Sequence, residues 1–285
     1  MGREENVLIF EDTIKLCVEH EKIRTCTEES INFQKLIEEE AALRTNRSEI
    51  YEEQVKVIVS KKRSFEAARE YRGYKTCVHN FASATNPGGG VERGANAQEE
   101  CLCRCSNLFP CLKARNVWNG FYASHRNSHN PLHNDDIIYT PDVLVFKSDT
   151  SSPKLLPEQD WYDVNVITCA APNLRERPSN KYNSGDGNAP VEISDAELKE
   201  LHVKRLRRIL DVALMSGNEV VILGAFGCGA FANNPKVVAS AAREVIEDYR
   251  HSFKVIEFAV YCSPRDEENY NVFKRVLDSP KKNGN

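Results

Sequence analysis

The sequence predicts a three-layer α/β/α fold, with a mixed central sheet covered by helices on both faces and a helical segment in front of it. Three observations lead there. Short apolar runs of strand length alternate with longer stretches of helical periodicity from residue 55 onward. Two glycine-rich loops each follow a strand-like run and precede a helix start, which is how α/β proteins build ligand sites at the carboxyl ends of their strands. Finally, 285 residues, 41% of them hydrophobic and 28% charged, are enough to bury one substantial core.

In chain order, residues 6–20 and 30–54 have helical periodicity with charged faces, and residues 1–54 read as an N-terminal helical extension packed on the core. Val55 to Val59 is the first strand-like run, and Ser64 to Tyr71 a helix. Further strand-like runs lie at 76–82, 137–140, 143–147, 164–170, 219–224 and 255–261, with a helix expected from about Ala97. Ser194-Asp195-Ala196-Glu197 is a capping-box signature for a long helix to about Met215, which Ser216-Gly217 ends. Asn234-Pro235 supplies an N-cap and a first helical position for a helix reaching Tyr249, and Glu267 to Leu277 is the last helix. The polar, turn-rich stretch 177–190 has strands of one sheet pattern on both sides, so it reads as a mobile loop inside a single domain spanning 55–278. Ser279 to Asn285 reads as a frayed tail.

Composition excludes several classes of function. No apolar stretch approaches membrane-spanning length, and Met1-Gly2-Arg3-Glu4-Glu5 lacks the basic start and apolar run of a secretory signal. No membrane partner is expected, and the cytoplasm is the default compartment, with the nucleus as the eukaryotic variant. A net charge of −4 argues against nonspecific nucleic-acid binding, although an anionic polymer gripped locally by main-chain N–H groups is compatible with it. The ten cysteines are expected to be reduced thiols.

The chemistry concentrates in two places. Thr76 to Ala82 leads into Asn86-Pro87-Gly88-Gly89-Gly90, and Gln98-Glu99-Glu100 opens the next helix. Glycines let the main chain come within hydrogen-bonding distance of a ligand, and carboxyl groups close behind them can meet that ligand with acid/base chemistry. Acids also stabilise a helix N-terminus, but that reading leaves the glycine triplet unexplained. The second place is the run from Glu219 to Leu223, which enters Gly224-Ala225-Phe226-Gly227-Cys228-Gly229-Ala230-Phe231 and then Asn234-Pro235. Small residues there expose several N–H groups beside a helix start, an arrangement that suits phosphate. With no Walker lysine and no GxGxxG spacing, nucleoside triphosphate hydrolysis and dinucleotide redox chemistry fit poorly. A phosphorylated sugar is the expected ligand.

Cys101, Cys103, Cys105 and Cys111 lack the spaced-pair pattern of a zinc site and read as small buried residues. His125, His129 and His133 recur every four residues, but Asn130-Pro131 breaks the helix that would align them, so they read as scattered loop histidines. Neither a metal nor a cofactor is expected.

The pattern Asn80-Phe81-Ala82-Ser83-Ala84-Thr85-Asn86-Pro87-Gly88-Gly89-Gly90 with Gln98-Glu99-Glu100, joined to the loop from Gly224 to Phe231, resembles the microbial type of poly(ADP-ribose) glycohydrolase. That family is a macrodomain with an N-terminal extension, and its signature is a glycine triplet followed at short spacing by Gln-Glu-Glu. The likeness spans most of the chain. It implies a macrodomain-like catalytic domain over 55–278 that hydrolyses the O-glycosidic ribose–ribose bond of poly(ADP-ribose). The expected substrate is poly(ADP-ribose) or an ADP-ribosylated protein, and the expected product ADP-ribose.

The resemblance assigns Glu100 as the catalytic residue. Working near neutral pH as an acid would require a raised pKa, which desolvation and the Glu99 charge favour. Glu99 is expected to orient the sugar, because adjacent side chains on a helix point about 100° apart and do not face one proton. Gly88, Gly89 and Gly90 would lie along the catalytic ribose, and Gly227, Cys228, Gly229 and Ala230 would hold the diphosphate. Phe231 would stack on the sugar or the base, with a core position as the alternative. Asn80 and Asn86 read equally as ribose contacts and as turn caps, Gln98 as a loop tie or a ligand contact, and Cys228 as a reactive thiol or simply a small residue. The base contacts are not legible. Two other functions stay open: binding of ADP-ribose without hydrolysis, and removal of a single ADP-ribose from protein or nucleobase.

Overall fold

The computed structural model describes residues 2–43, 50–183, 185–263 and 265–278. The tail expected over 279–285 therefore lies outside the described residues. Two helices, α1 (Arg3–Glu19) and α2 (Glu21–Phe33), open the chain, followed by β1 (Lys35–Ile37), β2 (Lys56–Ser60), α3 (Ser64–Ala68), β3 (Thr76–Ala82) and α4 (Gln98–Cys105). Three short helices come next, α5 (Leu108–Leu112), α6 (Arg115–Val117) and α7 (Ala123–Ser128). The remainder is β4 (Ile137–Val145), β5 (Tyr162–Ala170), α8 (Asp195–Met215), β6 (Val220–Leu223), α9 (Pro235–Ile246), β7 (Val255–Ala259) and α10 (Glu268–Asp278).

Seven strands form one mixed sheet in the order β1-β4-β5-β3-β6-β7-β2. From β5 to β2 the strands are parallel, whereas β4 runs antiparallel to β5 and β1 antiparallel to β4. The carboxyl ends of β2, β3, β5, β6 and β7 therefore share one edge, and the loops that follow them converge there. Side chains alternate across the sheet. Cys77, Ile167, Val221 and Ile256 face the layer of α8, α9 and α10, packing with Ile209, Val238 and Phe273. Val78, Ile138, Val166 and Ile222 face the other way, against Phe65, Leu102, Leu108 and Phe109.

Local signals end several elements where the sequence places their limits. Ser194 Oγ accepts from Glu197 N at 3.3 Å while Glu197 Oε2 accepts from Ser194 N at 2.9 Å, closing the capping box of α8. Asn234 Oδ1 accepts from Lys236 N at 3.1 Å, with Pro235 as the first residue of α9.

Elsewhere tertiary contacts override the local pattern. Among the described residues of the helix expected over 30–54, only 30–33 are helical, as the end of α2, which begins at Glu21; Lys35–Ile37 instead pairs with Tyr139, Ile138 and Ile137 at the sheet edge and the Gln34 amide donates to Thr140 Oγ1 at 2.7 Å. Residues 44–49 of that segment lie outside the described residues. The two strands read at 137–140 and 143–147 are one strand, interrupted by a register shift between Thr140 and Val143.

The histidines also differ from the expectation of scattered positions. His125 lies on α7, His129 ends that helix in a left-handed conformation (φ 48°), and the His125 and His133 rings meet at 5.7 Å between centroids. His133 Nδ1 lies 2.7 Å from the Ala171 carbonyl and Nε2 lies 3.2 Å from Asp186 Oδ1, so this ring anchors the 177–190 loop.

Arg205 of α8 is buried and holds the site edge together. Its guanidinium donates to Asp135 Oδ1 (2.8 Å) and to the carbonyls of Ala170 (2.7 Å) and Leu132 (3.2 Å), fixing the end of β5. Replacing it by Met should leave those acceptors unpaired and lower the unfolding free energy by about 3–5 kcal/mol. Urea titration of both proteins measures the difference.

Candidate active site

The converging loops enclose a cavity of about 340 Å³, within the range of small-ligand sites. The loop after β3 provides one wall. Gly89 has φ +61°, and a Cβ there would stand 2.5 Å from Glu100 Oε1 and 3.1 Å from Glu99 Oε2. Both carboxyl groups thus converge on one glycine. This differs from the divergence that helix geometry alone predicts, and the reason is local. Glu100, third in α4, bends back so that Oε2 accepts from Ala97 N at 2.9 Å, while Oε1 accepts from Gly90 N at 2.8 Å. Glu99 folds towards the end of β3, where Oε2 accepts from Ser83 N at 2.8 Å and Oε1 from the Asn80 amide at 3.4 Å.

Both acids are buried, at 3% and 7% relative exposure. Burial first, and then the neighbouring Glu100 charge, push the Glu99 carboxyl well above the usual carboxylate range. Main-chain and Asn80 donors oppose that shift without cancelling it.

The loop after β6 provides the facing wall with Gly227, Gly229, Ala230 and Phe231. Cys228 N is spent on the Ala225 carbonyl, whereas the N–H groups of Gly227, Gly229, Ala230 and Phe231 make no hydrogen bond to the described residues. These free donors form an anion cradle. Asn233 holds the loop in shape, its amide donating to the carbonyls of Pro172 (2.7 Å), Gly227 (3.2 Å) and Phe231 (3.2 Å). His202 Nε2 lies 2.8 Å from Asn233 Oδ1, and burial pushes that imidazole down to about 4. A neutral ring is thus available to orient the amide. Phe231 lines the cavity with the Arg175 guanidinium 5.5 Å from its ring centroid.

Other residues singled out from the sequence lie behind these walls. Gln98 also lines the cavity, but its amide is engaged by protein: Oε1 accepts from Phe81 N (2.9 Å), and Nε2 donates to the His79 carbonyl (2.7 Å) and to Ser64 Oγ (3.0 Å). Asn80 is fully buried beneath Glu99, its amide shared with Thr168 Oγ1 at 3.2 Å. Asn86 links loops, donating to the Tyr182 carbonyl (3.2 Å) and accepting from Arg126 (2.6 Å). Gly88 and Gly90 flank Gly89 without lining the cavity, and burial pushes the Cys228 thiol well up, so it is no ready nucleophile. Cys101, Cys103, Cys105 and Cys111 are buried free thiols. Among the described residues no three His, Cys, Asp or Glu side chains are grouped to hold a metal.

Among the cavity residues that escaped the sequence reading are Arg63, Tyr261 and Asp149. Tyr261 follows β7 with its ring half exposed, the Arg63 guanidinium 3.9 Å from its centroid. Its place in an apolar run made it look like strand. Asp149 Oδ2 accepts from Phe65 N at 3.0 Å, while its buried Oδ1 has no partner among the described residues. No local signal marks Asp149, because a contact with the start of α3, 84 residues earlier in the chain, holds it at the cavity.

These features match known proteins. Residues 7–148 match the family described as microbial-type PARG, catalytic domain. The structure is similar to poly(ADP-ribose) glycohydrolase from Thermomonospora curvata, with 26% identity over 96% of this chain and 99% of that one and a TM-score of 0.80. A second Thermomonospora curvata structure, bound to the inhibitor ADP-HPD, is 27% identical over 95% and 99% of the two chains, also at 0.80. The Deinococcus radiodurans enzyme in complex with ADP-ribose is 32% identical over 88% of this chain and 97% of that one, with a TM-score of 0.74. No curated protein matches. The chain belongs to the microbial-type PARG family. Its sheet and flanking helices have the macrodomain-like α/β/α architecture of these relatives.

Two substitutions test the geometry. Gly89→Ala should abolish activity, since its Cβ would collide with Glu100, whereas Gly229→Ala meets open space and should fold with the wild-type Tm. Burial pushes the Asp149 carboxyl from 3.8 up to about 6, so the folded state holds its proton more tightly than the unfolded chain does. Stability from this group is therefore full below pH 4 and falls as pH rises through about 6. Asp149→Asn should flatten the pH dependence of urea unfolding between pH 4 and 7, by on the order of 2–3 kcal/mol.

Proposed function

We infer that this chain is a glycosidase that hydrolyses the O-glycosidic ribose–ribose bond of poly(ADP-ribose) and releases ADP-ribose. The observation that carries the reading is the Glu99–Glu100 pair converging on Gly89 in a cavity whose facing wall is a cradle of free N–H groups. Family membership supports the same reaction.

One ADP-ribose unit would lie with its terminal ribose on Gly89 and its diphosphate on the N–H groups of Gly227, Gly229 and Ala230. Phe231 offers the sugar a ring face, and the half-exposed Tyr261 offers one to the base. The unpartnered Oδ1 of Asp149 can accept from the exocyclic amino group of that base.

Cleavage breaks the bond between the anomeric carbon and the leaving oxygen, developing oxocarbenium character on the sugar. The leaving oxygen takes the electron pair and needs a proton. Burial, and then the neighbouring Glu100 charge, raise the Glu99 pKa, which favours a proton held on the carboxyl pair. Glu100, held by the Gly90 and Ala97 N–H groups, delivers that proton to the leaving oxygen and recovers one from the water that attacks the anomeric carbon. Glu99 orients the ribose through its hydroxyls. All ten cysteines are unpaired, which supports a reducing compartment such as the cytoplasm.

Release of ADP-ribose from poly(ADP-ribose) tests the reading. Glu100→Gln should lower kcat by about 10²–10⁴-fold while ADP-ribose affinity stays within about threefold. Binding without release in the wild type as well would make the chain a reader. Turnover confined to mono-ADP-ribosylated protein or nucleobase would make it a hydrolase of single units.

A further inference from the structure

The cavity accounts for the unit that leaves as ADP-ribose. The other side of the scissile bond is also a nucleotide: the leaving hydroxyl sits on a ribose that carries an adenine and, through its 5′ carbon, a diphosphate. A flat base and two phosphates must therefore pass close to Glu100, outside the cavity.

We propose that Tyr182, Arg93 and Lys181 form a subsite for the adenosine diphosphate part of the leaving unit. The proposal rests on the glycohydrolase reading above. Arg93 belongs to the same loop as Gly89, and its terminal nitrogen lies 3.7 Å from where a Cβ on Gly90 would stand. Gly90 is the residue whose N–H holds Glu100. The Arg93 guanidinium lies 4.6 Å from the Tyr182 ring centroid, and Lys181 Nζ lies 4.7 Å from the same ring. None of the three lines the cavity.

Two further observations indicate that this cluster awaits a partner. Tyr182 is 54% exposed, yet the chain that carries it is pinned: its carbonyl accepts from Asn86, its N–H donates to Asn180 Oδ1 at 2.9 Å, and Asn183 bonds to Thr85 and to Asp186. A solvated ring on a pinned main chain offers a stacking platform. Among the described residues neither Arg93 nor Lys181 has a carboxylate at ion-pair distance, and the neighbouring Glu92 is taken by Lys113 at 3.7 Å. Lys181 is the tip of a flexible stem, so it can leave the ring to a base and meet a phosphate instead. Arg93 can grip a phosphate or stack on the base.

The test compares two substrates on the full chain: poly(ADP-ribose), and an aryl glycoside of ADP-ribose with the same anomeric configuration, which lacks the leaving adenosine. The ratio of kcat/KM on polymer to kcat/KM on the aryl glycoside should fall about tenfold in Tyr182→Ala and by a similar factor in Arg93→Ala/Lys181→Ala. Tyr182→Phe keeps the ring and should hold the ratio within about twofold of wild type. An unchanged ratio in Tyr182→Ala, or an equal loss on both substrates, overturns the subsite, the second outcome reducing Tyr182 to a loop support. Binding provides a readout that needs no turnover. Glu100→Gln should bind a dimer of ADP-ribose about tenfold more tightly than ADP-ribose, and adding Tyr182→Ala should erase that excess. Equal affinity for dimer and monomer in Glu100→Gln overturns the proposal. Failure of the wild type to release ADP-ribose from polymer overturns the glycohydrolase reading instead, and the dimer comparison still decides the subsite.

Discussion

Two carboxyl groups from adjacent residues reach the same point because the residue facing them has no side chain. A Cβ on Gly89 would stand 2.5 Å from Glu100 Oε1, so the absence of one atom lets the acids and the main chain of the glycine loop share a wall. Main-chain donors complete the arrangement. Gly90 and Ala97 fix the Glu100 carboxyl, and Ser83 fixes that of Glu99. Bringing two buried carboxyls together is unfavourable unless one keeps its proton, and the raised Glu99 pKa is the electrostatic consequence. The same feature that makes the pair costly to bury favours retention of a proton there.

Side-chain amides hold the loops that the sheet brings together. Gln98 ties α4 to the main chain of β3, Asn233 clamps three carbonyls of the loops after β5 and β6, and Asn86 joins the glycine loop to the 177–190 loop. Each uses an amide as a two-sided connector, satisfying main-chain groups that would otherwise be buried without partners. Neutral histidine at 202 and the His133–Asp186 contact brace these connectors from behind. Rigidity of this kind suits a reaction in which a sugar must be held against an acid, because orientation is set before the substrate arrives.

The polar loops around the cavity also place cations outside it. Arg93, Lys181 and Arg175 stand near rings of Tyr182 and Phe231, on a protein whose net charge is −4. Positive charge concentrated at the site, against an acidic background, suits a polyanion engaged at one place and not along a whole surface.

Much of this was legible from residue order. The strand-like runs, the capping box at Ser194, the Asn234-Pro235 helix start, the two glycine loops and Gln98-Glu99-Glu100 are short-range patterns, and short-range patterns encode local backbone conformation directly. Other features were not. Lys35–Ile37 became an edge strand because β4 was available to pair with it, and His125 met His133 because the chain turns back at His129. Tyr261 shares a cavity with Glu100 because parallel strands in a non-sequential order bring their carboxyl ends to one edge, whereas Asp149, which follows the antiparallel β4, is held there by Phe65 N at the start of α3. The sequence by itself determined which loops could approach a phosphorylated sugar and which acids stood beside them. Only the tertiary structure decided that both acids converge, which amides are connectors and which rings remain open, since those depend on contacts between residues far apart in the chain.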